Sequence, residues 1–441
     1  MNDTLSKEIL TDDQIEQDLL KNINWGNKFK LWLAFLAVSL IICLYFYYQQ
    51  IEHGLGVTGL HDYVSWGIYI SNFVFFVATS LIGMLISSVL GLMNVSWVKP
   101  LARIAELVAV AFAMVAGLII ITDMGRPDRL LNVFMHGRVQ SPIVWDIAVV
   151  VTYVAISILL LYIPLLPDIA LCRDKLKNVP KWQQKMYKIL ALGWKGKAKQ
   201  FKLMNNYTRI LLILIIPIAL SIHTVTSWLF AMTLRSGWDS PIFGPYFVSG
   251  AFVAGCAAVI ITMYFFQKNY KLDKYITIDH FDRMGRLLVL VALVYVYFNI
   301  NEIIVPAYKT NTADAKHVQE MLSGHESIMF WMVQLGGLII PFLLILFRPM
   351  RRPLPLMLIS IVILTGAWFK RVLIVVPTQL APYYPIQNVP EKWTHYMPTV
   401  PEIAITTGSF ILVLIIMSVL AKLFPVIPIW EIKEEINHNK N

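Results

Sequence analysis

"RIAELVAVAFAMVAGLIIITDMGRPDR" runs from Arg103 to Arg129, and its two parts follow different rules. From Ile104 to Thr122 the residues are almost all apolar, with Glu106 the one ionisable group. Asp123, Gly125, Arg126, Pro127, Asp128 and Arg129 then crowd together. A helix needs about 20 apolar residues to cross the hydrocarbon of a bilayer, and Gly with Pro ends a helix and turns the chain. The stretch reads as a membrane span emerging at "DMGRPDR", with the amphipathic "LLNVFMHGR" (130–138) lying along the surface beyond it.

The rest of the chain agrees. Of 441 residues, 57% are hydrophobic and 15% charged, against about 25% charged in soluble domains. This predicts an all-α, polytopic membrane protein. The same length criterion gives about ten spans, at 31–49, 65–91, 104–122, 143–163, 208–231, 242–266, 287–306, 326–347, 355–377 and 403–421. They define a transmembrane domain over 31–421 between soluble tails at 1–30 and 422–441. The first tail is polar, unlike a signal peptide.

The loops test the count, because Lys and Arg collect on the cytoplasmic side. The segments on the side of both termini hold 27 of the 37 Lys and Arg residues, and those on the other side hold seven. Both termini are therefore expected in the cytoplasm. Ten of the basic residues fall between Arg173 and Lys202; anionic lipid and topology account for them without a nucleic-acid partner. Cys43, Cys172 and Cys256 are too scattered for an iron–sulfur or zinc site in this chain. No metal site is expected. Of nine histidines only His223 is well inside a span, which argues against a bound b-haem with two axial histidines.

Ionisable groups inside spans are rare and mark functional sites. With the orientation above, Asp123 and Arg126 lie at the outer end of span 3, and Asp146 lies one turn into span 4 after Trp145. His223 sits in the outer half of span 5, and Tyr69 and Asn72 share a face in the outer half of span 2. Each has a plainer reading. Asp123 and Arg126 could be a solvated i, i+3 pair, and Tyr69, Asn72 and His223 could be interhelical hydrogen-bonding groups. Glu106 and Arg103, at the inner end of span 3, could be an ion pair or part of a proton route. Asn299, Asn301 and Glu302 fall near the outer end of span 7 and Gln334 inside span 8. Lys370 and Arg371, in the outer half of span 9, read as snorkelling side chains.

Several motifs then line up: "WGIYISNFVFFVATSLIGMLISSVL", "RIAELVAVA", "DMGRPDR", "SPIVWDIAVVVTYVAISILLLYIPLLPDIALCRD", "ALGWKGKAKQ", "SIHTVTSW" and "GWDSPIFGPYFVSGA". In this order they resemble the NrfD/PsrC family of polysulfide-reductase-type membrane subunits, over most of residues 60–350. The ten-span size is similar to that of the long members, such as the quinol-binding subunits of alternative complex III. The resemblance implies two four-helix bundles, spans 2–5 (about 65–231) and 6–9 (about 242–377), with spans 1 and 10 peripheral. It implies a haem-free subunit of a bacterial or archaeal cytoplasmic (inner) membrane, with menaquinone or ubiquinone as substrate near the outer face. Electrons would pass to or from a ferredoxin-like iron–sulfur subunit docked there, linked in turn to a molybdopterin-type or multihaem cytochrome c subunit.

Carried over by position, Asp146, the Gly125-Arg126-Pro127 turn and His223 would form the quinone pocket, and Glu106 would lie on a route for protons towards the cytoplasm. Asp123 joins Asp146 and His223 as an expected quinone or proton ligand, with Trp145, Tyr69 and Asn72 about the pocket, Arg103 beside Glu106 on the proton path, and Arg126 orienting Asp123 or holding the loop. The chain departs from the family at Asp123, where His is common, and at Leu81 (often His), Leu229 (Asp) and Asp239 (His). The losses at Leu81 and Leu229 remove groups from a proton-translocation path. The expected function is the quinone-reactive membrane subunit of a respiratory oxidoreductase complex, not active alone. A secondary transporter without redox chemistry is the alternative; transporters gather polar groups at the midplane, whereas here they gather near one face.

Overall fold

The computed structural model describes residues 11–93, 95–309, 311–381, 388, 390–393 and 395–438. The distal parts of the expected tails, 1–10 and 439–441, lie outside the described residues. Among those described, all regular structure is helical, and nine helical segments are long and apolar enough to cross a membrane. These are Asn27–Val57, Ser96–Asp123, Pro142–Tyr162, Ala198–Ala231, Phe243–Tyr270, Ile278–Tyr308, Ser327–Leu346, Pro353–Leu380 and Val400–Leu423. They are spans 1 and 3 to 10.

Span 2 is the tenth, built in two pieces: Ile68–Ser80 is α-helical and Met84–Leu90 is π-helical. Between them the Leu81 N–H bonds the Ala78 carbonyl, three residues back. The ladder tightens and then widens, which is why no single regular helix covers the crossing. Gly83 lies at this junction, where an added Cβ would meet the Ala109 methyl of span 3 at 2.5 Å. In a bilayer, where lipid competes for apolar contacts, small residues allow such close approach.

Contacts sort the spans into two rings. Span 2 packs on span 3, span 3 on span 4, span 4 on span 5, and span 5 returns to the π segment of span 2. Likewise span 6 packs on spans 7 and 9, and span 8 closes between spans 7 and 9. Span 6 also touches spans 2, 3 and 5 and is the wall shared by both rings. Its small-residue run "SGAFVAGCAA" (249–258) keeps that wall thin. Burial follows position: 83% of the apolar window of span 6 is buried, against 6% for span 1, which packs against span 10 and turns its other face to lipid.

Helices Asp12–Leu20, Leu166–Lys175, Lys181–Leu190 and Ile429–His438 gather on one face. Glu16 is ion-paired with both Lys175 and Lys433, so both ends of the described chain lie on this terminal face. The "DMGRPDR" turn lies on the far face. There Pro127–Arg129 forms a 3₁₀ turn and Asn132–His136 a short helix, with Leu131, Phe134 and Met135 exposed.

Candidate functional site

Asp146 heads the inward stripe of span 4. Asp146, Val150, Tyr153, Ser157 and Leu160 recur at helical spacing and all are buried. Pro142 starts the helix, so the carboxylate sits one turn in from the far face. The Thr226 hydroxyl of span 5 donates to Asp146 Oδ1 at 2.5 Å. His223 lies three residues earlier on span 5, on the same face as Thr226, and is 2% exposed. Its Nε2 has no hydrogen-bond partner. A buried polar atom without a partner is costly, so the open ring nitrogen of His223, on the face of span 5 that carries Thr226, calls for an explanation. Trp145, next to Asp146, turns towards the rim, where its N–H bonds the Val139 carbonyl and its ring packs edge-on against Trp228 at 6.4 Å.

Asp123 belongs to a different cluster. The Tyr69 hydroxyl donates to Gln50 of span 1, and Gln50 donates to the Thr122 carbonyl, both at 2.6 Å. This ties spans 1 and 2 to the last turn of span 3. Asp123 shares that corner with Tyr69 and Glu402, and its Oδ1 is buried without a partner. Glu402, fully buried, closes the corner by accepting from Gly59 N, Thr399 N and the Tyr396 hydroxyl at 2.7–2.8 Å. Among the described residues no hydrogen bond joins Asp123, Asp146 and His223 to one another; Asp146 is bonded to Thr226, and Asp123 stands with Tyr69 and Glu402. Asn72 bonds Thr406 of span 10 and accepts from the Trp368 indole of span 9, at 2.8 and 2.7 Å. Its polar atoms are spent on packing, as are those of Tyr69.

Two expected pairings are corrected. Arg126 does not orient Asp123. Span 3 ends at Asp123, and Arg126, already in the exposed turn with Gly125 and Pro127, bonds Asp128 through Nε at 3.1 Å and Nη2 at 3.2 Å. Nor does Arg103 pair with Glu106. The buried Arg103 is ion-paired with Asp168, which also accepts from the Ile429 and Trp430 N–H groups. The loop after span 4 supplies a nearer carboxylate and the C-terminal helix completes its hydrogen bonds, so Arg103 is a clamp of the terminal face. Glu106 is buried beside Ser87, at the π segment of span 2.

The snorkelling reading of span 9 is also overturned. Lys370 and Arg371 are each 2% exposed. Lys370 Nζ is 2.6 Å from Glu302 Oε2 of span 7. Glu302 and Asn299 lie 3.0 and 3.2 Å from the Tyr246 hydroxyl, and Asn299 also bonds Gln334. The sequence shows Glu302, Asn299, Gln334 and Lys370 as polar letters in apolar runs, the correct signal. Their pairing across three spans is a tertiary fact. Thr226 escaped notice because threonine is common in membrane helices.

With this geometry in hand, similarity gives the class. The sequence model of the family described as "Polysulphide reductase, NrfD" matches residues 56–382, and the chain belongs to that family. The matched range runs from before span 2 to the end of span 9, both rings, and leaves out span 1 and span 10. Among particular relatives, the chain is 28% identical over 405 residues to a putative membrane subunit of dimethyl sulfoxide reductase from Halobacterium salinarum, covering 87% of this chain and 88% of the relative. It is 25% identical to a selenate reductase subunit from Mesobacillus selenatarsenatis, covering 89% and 93%. It is 22% identical to the Hdr-like menaquinol oxidoreductase integral membrane subunit of Archaeoglobus fulgidus, covering 93% and 97%.

Proposed function

We propose that this chain is the quinone-reactive membrane subunit of an oxidoreductase complex, that its headgroup site lies between spans 4 and 5, and that the far face is the outer face of a bacterial or archaeal cytoplasmic membrane. The observation that carries the proposal is the buried, open Nε2 of His223 on the span 5 face whose Thr226 holds Asp146 of span 4. Relatives named for menaquinol and for reductase complexes support the substrate class and the assembly.

Oxidation of a quinol releases two electrons and two protons. The lone pair on His223 Nε2 takes one proton, and the Asp146 carboxylate, held by Thr226, takes the other. In the reverse direction the same atoms donate to the quinone oxygens. The electrons pass to an iron–sulfur partner at the outer face, where the Arg126–Asp128 turn and the exposed Leu131, Phe134 and Met135 form the rim. Asp123, with its open oxygen, gives protons a second carboxylate near the same face. Glu106, on the terminal side of span 3, stands on a route towards the cytoplasm. A site near one face shortens electron transfer to an external cluster; a transporter would hold its polar groups at the midplane.

The test is to purify the complex through a tag on this chain and titrate quinol oxidation with a quinone-site inhibitor. Saturable inhibition that Asp146→Asn and His223→Ala weaken supports the assignment. A complex that carries no iron–sulfur subunit and oxidises no quinol overturns it.

A further inference from the structure

The terminal face carries a basic surface that the quinone chemistry does not use. Ten Lys and Arg residues fall between Arg173 and Lys202, against one acidic residue, Asp174. Arg173 is paired with Asp174, and Lys175 with Glu16. The other eight are lysines, all exposed and none of them in an ion pair among the described residues. Like charges gathered this densely repel one another, and the chain itself supplies no negative partner for them.

Packing holds this surface in one shape. Helix Lys181–Leu190 crosses the face from the start of span 1 to the end of span 4: the Trp182 ring meets Trp25 edge-on at 5.8 Å, and the Tyr162 hydroxyl donates to the Leu190 carbonyl at 2.6 Å. Gln183 and Tyr187 are buried beneath it, and Tyr187 donates to the Leu423 carbonyl at the end of span 10. Trp182 and Ile189 stand exposed among the lysines. The loop into span 5 is pinned as well. Trp194 is buried, its carbonyl accepts from Arg173, and the Gln200 side chain accepts from the Lys195 and Lys197 N–H groups at 3.0 and 3.2 Å. That loop holds Leu192 at φ 46°, a left-handed conformation that is unfavourable for leucine, with its side chain 70% exposed. A strained leucine held outward among cations is ill placed in water and well placed where headgroups meet acyl chains.

Span 5 carries the surface down to the hydrocarbon. Lys199, Lys202 and Arg209 share one face of this helix, at i, i+3 and i+10, and all three are exposed. The Arg209 side chain makes no hydrogen bond or ion pair among the described residues. Tyr207, Ile210 and Ile213 beside it are exposed too, so this side of the helix faces lipid. The helix has 34 residues, about 50 Å at 1.5 Å per residue, against about 30 Å of hydrocarbon. The surplus lies at the Lys199 end, since the apolar stretch starts near residue 208, and Arg209 therefore stands at the edge of the hydrocarbon. A guanidinium there can bind two oxygens of a phosphate at once. We propose that the surface from Lys181 to Arg209 binds anionic phospholipid. Arg209, Lys202 and Lys199 hold headgroup phosphate, the lysines of helix Lys181–Leu190 lie over neighbouring headgroups, and Trp182, Ile189 and Leu192 dip between the acyl chains. An acidic protein would meet the lysines but not Arg209, which lies on the lipid side. The inference stands apart from the quinone reading of the first ring.

The test titrates the tagged, detergent-solubilised complex with phosphatidylglycerol or phosphatidylcholine and counts bound lipid by native mass spectrometry. The first phosphatidylglycerol should bind at least about fivefold more tightly than the first phosphatidylcholine, the contribution of a single basic residue at an anionic surface. Lys199→Gln/Lys202→Gln/Arg209→Gln should bring the two lipids within about twofold of each other. Lys181→Gln/Lys185→Gln/Lys188→Gln, confined to the exposed side of its helix, should also lower the preference. Lys274→Gln, exposed in the loop between spans 6 and 7, should leave it unchanged. Equal binding of the two lipids by wild type, or a full preference retained by the Arg209 triple variant, overturns the proposal. So does a subunit of the complex that cross-links to Lys185 or Lys188 while phosphatidylglycerol shows no preference, because the occupant is then a protein.

Discussion

The plainest division at the scale of single residues is between polar side chains with partners and those without. Asp146 has its Thr226 bond and His223 an open nitrogen, so we assign the chemistry to them; Arg126 is held by Asp128 at the surface, and we assign it none. Asp146→Asn keeps the shape and removes the proton acceptor, and quinol oxidation should fall about 100-fold, within the range for loss of a positioned acid–base group. Thr226→Val removes only the orienting hydroxyl and should lower the rate by about tenfold or less. Arg126→Ala should leave the rate within about twofold, because an exposed pair contributes little. All three are read in steady-state quinol oxidation by the purified complex. A twofold effect for Asp146→Asn would remove it from the site.

Between single residues and the whole chain, the helices show what could and could not be read from sequence. Apolar length located nine helices long enough to cross a membrane among the described residues, because hydrophobic thickness acts locally along the chain. The break in span 2 was hidden, because Gly83 is explained only by Ala109 of another span. The Arg103–Glu106 pairing failed for a similar reason: i, i+3 spacing makes contact possible, and Asp168 more than sixty residues later made a better one. That clamp is testable in thermal unfolding of the detergent-solubilised protein. Arg103→Met strands a buried carboxylate and should cost about 3–5 kcal/mol, and Arg103→Met/Asp168→Leu should recover much of the loss.

The terminal helix Asp12–Leu20 offers a pH test of the same kind. Burial pushes the Glu16 carboxyl up, but the Lys175 and Lys433 ammonium groups outweigh it and hold it below its ordinary value of 4.5. A depressed carboxyl stabilises the docked helix above the unfolded pKa, and that contribution is lost as pH falls through the folded value. The protection of this helix's amides against exchange, relative to the unfolded chain at the same pH, should be high at pH 7 and fall below pH 4.5. Glu16→Gln should flatten that dependence.

The molecule as a whole is two rings sharing a wall. The family pattern made the first ring legible, with its ordered motifs around Asp146 and His223. The second was opaque, since Lys370 and Arg371 near a span end look like snorkelling residues until spans 7 and 8 are set against them. Asp123 shows the limit from the other direction: it lies beside the expected site in sequence, yet the fold gives it to a corner with Tyr69 and Glu402. If that corner relays protons, Asp123→Asn should slow proton release more than electron transfer, a split that stopped-flow dye and absorbance traces can resolve. Equal slowing of both would place Asp123 with the quinone ligands instead.

Span 6, with its run of small residues, has an electrical consequence. A helix is about 10 Å across, so charges on its two sides are separated by little more than one layer of dry protein. Two unit charges at that distance interact by about 1.7 kcal/mol at an effective dielectric of 20, which is more than tenfold in an equilibrium constant. The shared wall therefore acts like the thin insulator of a capacitor: a charge placed on one plate shifts the occupancy of the other without any helix having to move.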